Sequence, residues 1–341
     1  MKSVVIDTPG QVRVKTLPDP ALSGPDGAVI EVSAAAICGS DLHFYEGDYP
    51  LGDPVPLGHE AIGNIVEIGS DVRTFAVGDE VLVSSVAGCG SCAGCATLDP
   101  VTCVGGPRIF GAGALGGAQS ELLAVPAADF QLLRLPHDID TEEALLLTDN
   151  LATGWAAAQR ADFPPGATVV VLGLGAVGLC AVLSALTLGA GTVFAVDPVE
   201  GRRLRAERLG ATPLEPPALQ TVLDATGGRG AVSVIDAVGS DTTMSDALNL
   251  VRAGGTVSVV GVHNLDPFPF PATISLIRSI TLRMTTAPVQ RTWPELVPLL
   301  QSGRLDVRGI FTDTMPLAEA PAAYAAVAAR TADCVKVSLT I

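Results

Sequence analysis

The chain has 341 residues, with 36 acidic against 20 basic side chains and a net charge of −16 at pH 7. That balance excludes a phosphate-backbone partner and an anionic membrane surface, and no Lys/Arg run offsets it. The length fits two domains of ordinary size, and 48% hydrophobic residues suit a buried core rather than a disordered chain.

The N-terminus, Met1 to Asp7, shows no apolar h-region, so no signal peptide is expected and the protein is expected to be cytoplasmic. The first ~150 residues read as β-rich. Short apolar runs at 29–32, 62–68, 81–86 and 122–125 alternate with Gly, Pro and Asp punctuation. Within this region, Cys89, Cys92, Cys95 and Cys103 follow the spacing C-x2-C-x2-C-x7-C. Thiolates at such intervals wrap one tetrahedral zinc, because each short loop returns the chain to the same ion. Gly88, Gly90 and Gly94 let the backbone turn between them. The rival reading is a pair of disulfides, which a chain without a secretion signal disfavours. A closed four-thiolate site stabilises a lobe, here 88–104, and does no chemistry.

From Thr168 the rhythm changes to strand and helix in alternation. Strands are expected at 169–172, 192–196, 232–236 and 256–260, with helices to about Leu188 and over about 200–209. Such alternation predicts βαβ units and a parallel sheet. The apolar stretch at 169–188 is broken by glycines and reads as strand, turn and helix rather than a membrane span. The last ~50 residues are expected to form helices near 294–301 and 318–330 and a strand at 335–341.

Gly173-Leu174-Gly175-Ala176-Val177-Gly178 is G-x-G-x-x-G between an expected strand and an expected helix. In that context Gly173 permits the tight turn, Gly175 admits a pyrophosphate to the helix N-terminus, and Gly178 allows close helix–strand packing. Asp197 lies nineteen residues past Gly178, at the end of the next strand. A carboxylate there accepts from adenosine ribose hydroxyls and repels a 2′-phosphate, which favours NAD over NADP. Arg202 complicates this, since it can pair with a phosphate.

Upstream stand Cys38-Gly39-Ser40-Asp41-Leu42-His43 and Gly58-His59-Glu60. Singly, each is unremarkable, because a lone Cys is usually a core residue and a lone His usually a structural one. His137 and His263 have no metal-like context and read as structural or surface residues. Cys180 and Cys334 sit in apolar stretches and read as core.

Three signatures occur in order: Gly58-His59-Glu60-x2-Gly63-x5-Gly69-x4-Thr74-x3-Gly78-Asp79-x-Val81, the four-cysteine lobe, and the glycine turn with Asp197. Together they resemble the zinc-dependent medium-chain alcohol dehydrogenase family, over essentially the whole chain. The resemblance implies a GroES-like β-barrel catalytic domain over 1–150 and 288–341. It also implies a Rossmann doubly wound parallel-sheet domain inserted at 151–287, with the site in the cleft between them. It implies two zinc ions per chain and NAD.

Cys38 and His59 are then implied as catalytic zinc ligands. The position that often carries a third, Cys ligand is Asp149 here; a carboxylate is harder than a thiolate but still suits zinc. Glu60 is a rival ligand. The resemblance further implies a Ser40–ribose–His43 proton relay, Thr153 beside the nicotinamide, Val262 at the carboxamide and Lys336 near the pyrophosphate. Asp41 reads as fixing a local turn. Ser85, Phe110 and Trp155 are implied near the substrate, with Phe44 and Tyr45 at the rim, which favours a small neutral alcohol, aldehyde or ketone. A polyol or amino-alcohol substrate is the alternative. A catalytically silent, zinc-stabilised structural protein is a remote one, since such proteins usually lack the Cys and His retained here. A homodimer or homotetramer is expected.

Overall fold

A computed structural model describes residues 1–51 and 54–341, and the chain divides into two compact units. One comprises Met1–Ala152, Ala287–Gly303 and Arg308–Ile341; the other comprises Thr153–Thr286 and Arg304–Val307.

Among the described residues, the first unit is built on a seven-stranded sheet. It runs from Leu132–Arg134 through Glu80–Val83, Glu60–Ile68 and Ala28–Ile37 to Val337–Thr340 and Asp313–Pro316. Ala28–Ile37 is its spine, antiparallel to Glu60–Ile68 along one edge. Along the other edge its first half pairs with Leu122–Val125 and its second half with Val337–Thr340. One face packs Ile30, Val32, Ile65, Val81, Val83, Phe110, Leu123 and Val125 into a core. A second cluster holds Ile6, Ile37, Leu57, Tyr324, Val337 and Leu339. Burying this much apolar area at about 25 cal/mol per Å² fixes the register, because a one-residue slip would turn each strand's inner face outward.

That register sets up the site. Ile37 pairs with Val337, and Ala36 pairs with Glu60. Cys38, Glu60 and Lys336 therefore meet at one end of the sheet although up to 298 positions separate them in the sequence.

The second unit contains a six-stranded parallel sheet, in the order Thr212–Leu214, Thr192–Val196, Thr168–Leu172, Ala231–Asp236, Val251–Val259, Thr281–Met284. In chain order of its own strands this is 3-2-1-4-5-6, the doubly wound Rossmann arrangement. Thr168–Leu172 pairs with Thr192–Val196 on one side and Ala231–Asp236 on the other, so the crossovers diverge at its C-terminal end. Val169 to Leu172 are all buried, as a parallel strand covered on both faces requires.

The expected strand at 81–86 is two pieces, Glu80–Val83 and Val86–Ala87. Between them the amide of Ser84 donates to the Gln131 carbonyl and that of Ser85 to the Thr148 carbonyl, which draws the chain off the ladder. The helix expected near 294–301 starts earlier, at Val289, and carries Pro294 and Pro298 within it. No helix among the described residues is long and apolar enough to cross a membrane.

Candidate metal centres and dinucleotide site

Cys38 directly follows the spine strand, and His59 directly precedes the strand beside it, which Glu60 opens. Asp149 follows the helix Thr141–Thr148, whose N-terminus is fixed by a reciprocal capping box between Asp140 and Glu143. One ligand atom from each of Cys38, His59, Glu60 and Asp149 lies within 4.8 Å of the others. Asp149 Oδ2 is 3.5 Å from Cys38 Sγ and 3.5 Å from His59 Nε2. A thiolate, an imidazole and a carboxylate at that spacing are a zinc-type donor set, since bonds of about 2.0–2.3 Å to one ion put ligand atoms this far apart.

The surroundings orient each donor. His59 Nδ1 faces Asp41 Oδ1 at 3.1 Å, which leaves Nε2 to the cluster. Asp41 Oδ2 accepts from the Cys38 amide at 3.0 Å and from Gln119 Nε2 at 3.3 Å. Gln119 in turn accepts from the buried Tyr324 hydroxyl. Asp41 thus fixes the local turn, as expected, and also aims His59, a role the sequence does not display. Ser85 Oγ donates to Asp149 Oδ1 at 2.9 Å. Burial alone would raise the Asp149 carboxyl, but the His59 contact, the Lys336 charge and the Ser85 hydroxyl hold it down to about 2. Burial would lower His59; the Asp41 and Cys38 charges and the hydrogen bond to Asp149 outweigh it and raise the ring well above its usual value.

Lys336, implied near a pyrophosphate, is turned into the metal-ligand cluster. It is 1% exposed, and its ammonium donates to Glu60 Oε1 and Oε2 at 2.5 and 2.7 Å and to the Ile37 carbonyl at 3.1 Å. The Val337–Ile37 register, which local sequence does not reveal, puts it there. Phe110 is likewise fully buried in the sheet core rather than at a substrate surface. Phe44 and Tyr45 pack on the second core cluster, Tyr45 stacked on Tyr324. Ser40 Oγ is 3.4 Å from His59 Nε2. His43 Nδ1 is 2.7 Å from Asp48 Oδ2, and its ring stacks on Tyr49.

In the lobe, Cys89, Cys92, Cys95 and Cys103 also bring their sulfurs within 4.8 Å of one another, with no disulfide. Cys89 Sγ and Cys95 Sγ are 4.0 Å apart, far beyond a bonded pair and suited to ligands of one ion. Gly94 is there for room as much as for freedom, since a Cβ would sit 2.0 Å from the Thr102 carbonyl oxygen. The Ser91 amide and hydroxyl lower the Cys89 thiol to about 6, and burial pushes Cys95 up to about 12.

In the second unit the glycine turn joins Thr168–Leu172 to the helix Ala176–Thr187, which begins with Ala176 and Val177. A Cβ on Gly178 would lie 1.8 Å from the Gly173 carbonyl oxygen, whereas one on Gly175 would meet nothing within 4 Å. Gly178 serves packing; the open space at Gly175 fits the approach of a pyrophosphate. Asp197 is buried, and it accepts from the Leu174 amide and the Val199 amide, each at 2.8 Å. Its remaining lone pairs fit ribose hydroxyls. Arg202 is half-buried, and it is Arg203 that donates to the Asp197 and Pro198 carbonyls. Thr153 is buried in the helix Asn150–Ala161, and Val262 is 37% exposed beyond Val251–Val259. His263 is held by Asp241 and the Asn264 carbonyl. Cys180 and Cys334 are buried.

Comparison with known proteins agrees with this geometry. Residues 24–137 match the alcohol dehydrogenase GroES-like domain, and residues 176–302 match the zinc-binding dehydrogenase domain. A probable zinc-binding alcohol dehydrogenase of Mycobacterium tuberculosis is 70% identical over 98% of this chain and 87% of its own. A sorbitol dehydrogenase of Bacillus subtilis is 32% identical over 93% of this chain and 90% of its own. The solved alcohol dehydrogenase of Thermus sp. ATN1 superimposes with a TM-score of 0.92 at 35% identity, covering 100% of this chain and 99% of that one. The chain belongs to the zinc-dependent medium-chain alcohol dehydrogenase family, with a GroES-like unit and a Rossmann unit.

Proposed function

We propose that the protein is a zinc-dependent, NAD-linked dehydrogenase that interconverts a small neutral alcohol with its aldehyde or ketone. The observation that carries this is the cluster of Cys38 Sγ, His59 Nε2 and Asp149 Oδ2, oriented by buried partners on every side. Cys38, His59 and Asp149 would hold the catalytic metal, and the four cysteines of the lobe a structural one. When bound, zinc supplies a Lewis acid that makes an alcohol more acidic, and the nicotinamide supplies the hydride acceptor.

The chain's residues do the rest. Two charges leave the substrate, a hydride from carbon and a proton from oxygen. Ser40 takes the proton from the substrate hydroxyl, and His43 passes it on to water. Asp48 at Nδ1 fixes the imidazole and leaves Nε2 to exchange protons. Asp197 accepts the ribose hydroxyls of NAD and disfavours a 2′-phosphate; Gly175 leaves room for the pyrophosphate, and Thr153 and Val262 border the nicotinamide. Arg202 is a nearby group that would favour NADP. The sorbitol dehydrogenase relative supports a second reading, a polyol substrate.

The test is initial rates on zinc-replete protein, with NAD and with NADP, across primary alcohols, secondary alcohols, polyols and threonine. One substrate class should stand out, with a clear preference for NAD. No turnover of any member, with both metals and NAD bound, would reject the reading in favour of a structural protein.

A further inference from the structure

Two carboxylates compete for one ion at this site, and their hydrogen bonds are unequal. Asp149 Oδ1 takes the Ser85 hydroxyl, while Oδ2 faces Cys38 and His59. Glu60 is held instead by a cation, through its two oxygens. Both accept from the Lys336 ammonium, and Oε1 also accepts from Asn150 Nδ2 at 3.1 Å. Lys336 and Glu60 are 1% and 0% exposed, so water screens none of this attraction.

Asn150 ties the competitors together. It is fully buried, and its Nδ2 reaches Asp149 Oδ2 at 2.8 Å, Glu60 Oε1 at 3.1 Å and Cys38 Sγ at 3.5 Å. Its Oδ1 has no hydrogen-bond partner among the described residues. The reverse amide orientation would set an oxygen against two carboxylates and a thiolate, so chemistry fixes Nδ2 on the cluster. An orphaned buried acceptor is the cost of that orientation.

We infer that Lys336 and Asn150 are positioning residues that hold Glu60 off the catalytic metal and so leave the ligand set as Cys38, His59 and Asp149. The inference rests on the metal reading above and deepens it. Without the Lys336 charge, Glu60 becomes an unpaired buried carboxylate, and the nearest compensating cation is the metal. It then joins the ligand set and closes the position that the substrate oxygen needs.

Cobalt(II) in the catalytic site, with zinc kept in the lobe, reads this without turnover. The absorption that wild type shows and Cys38→Ser lacks reports the site. Lys336→Met should shift this absorption toward higher coordination, slow cobalt loss to a chelator at least tenfold, and lower kcat at least tenfold. Lys336→Met with Glu60→Gln should return the wild-type spectrum, and so should Lys336→Arg. Asn150→Ala should shift the spectrum in the same direction, which keeps the inference testable should Lys336→Met fail to fold. An unshifted spectrum in Lys336→Met, or in Asn150→Ala where that variant stands in, would overturn it. So would a shift in Glu60→Gln alone, which would make Glu60 a resting ligand. Absence of any Cys38-dependent band in wild type would instead reject the metal reading itself, and this inference with it.

Discussion

In the proposed ligand set, Asp149 stands where a cysteine often does, and its neighbours suit a carboxylate there. Ser85 and Asn150 fix its plane, and its pKa near 2 keeps it ionised. Asp149→Asn keeps the shape and removes the charge. It should empty the catalytic site while sparing the lobe, giving about one zinc per chain by metal analysis, and lower activity on the order of 100-fold or more. His59 gives a pH prediction. Its raised pKa means the metal-free ring stays protonated to higher pH, and the metal must displace that proton. Zinc uptake by stripped protein should therefore release protons and weaken as pH falls, as calorimetry in buffers of different ionisation enthalpy would show; pH-independent uptake would contradict the assignment. The residues that cluster here were legible because His59 and Glu60 stand in a spaced signature and the resemblance pointed to Cys38 and Asp149. Asn150 and the second role of Asp41 were not, since no spacing marks a side chain that acts through its neighbours. The pairing of Lys336 with Glu60 was not legible either, because strand register sets it.

At the scale of elements, the lobe and the glycine turn make separate predictions. The Ser91 contacts lower the Cys89 thiol while burial raises Cys95, so the metal must displace protons to bind all four. Bound zinc keeps the four as thiolates, so lobe metal should be retained at neutral pH and released on acidification. A chromogenic chelator titration checks this, and release at neutral pH would count against a four-thiolate site. Gly178→Ala forces a methyl against the Gly173 carbonyl oxygen. It should cost about 1–3 kcal/mol of stability and impair NAD binding, whereas Gly175→Ala should impair NAD binding with little loss of stability. The parallel strands were legible because buried β-branched runs alternate with helical ones. The break at Ser84 and Ser85 was not, because residues far along the chain take their amides.

For the whole molecule, the resemblance implied a Rossmann unit inserted at 151–287, and the structure divides at Ala152/Thr153 and Thr286/Ala287. The return of residues 304–307 to the second unit was not legible, since it reflects packing rather than pattern. NAD at about 100-fold over its Kd should stabilise the folded chain by about 2.7 kcal/mol and raise Tm, an effect that Asp197→Ala should largely remove. An equal shift with NADP would argue against the role given to Asp197. The central claim is that Cys38, His59 and Asp149 hold a catalytic metal. Anomalous diffraction at the zinc edge, on crystals of the active enzyme, tests it most directly. The account predicts two peaks per chain, one bonded to Cys38 Sγ, His59 Nε2 and Asp149 Oδ2 and one within the four cysteines of the lobe. A single peak, in the lobe alone, from enzyme that still turns over would contradict it.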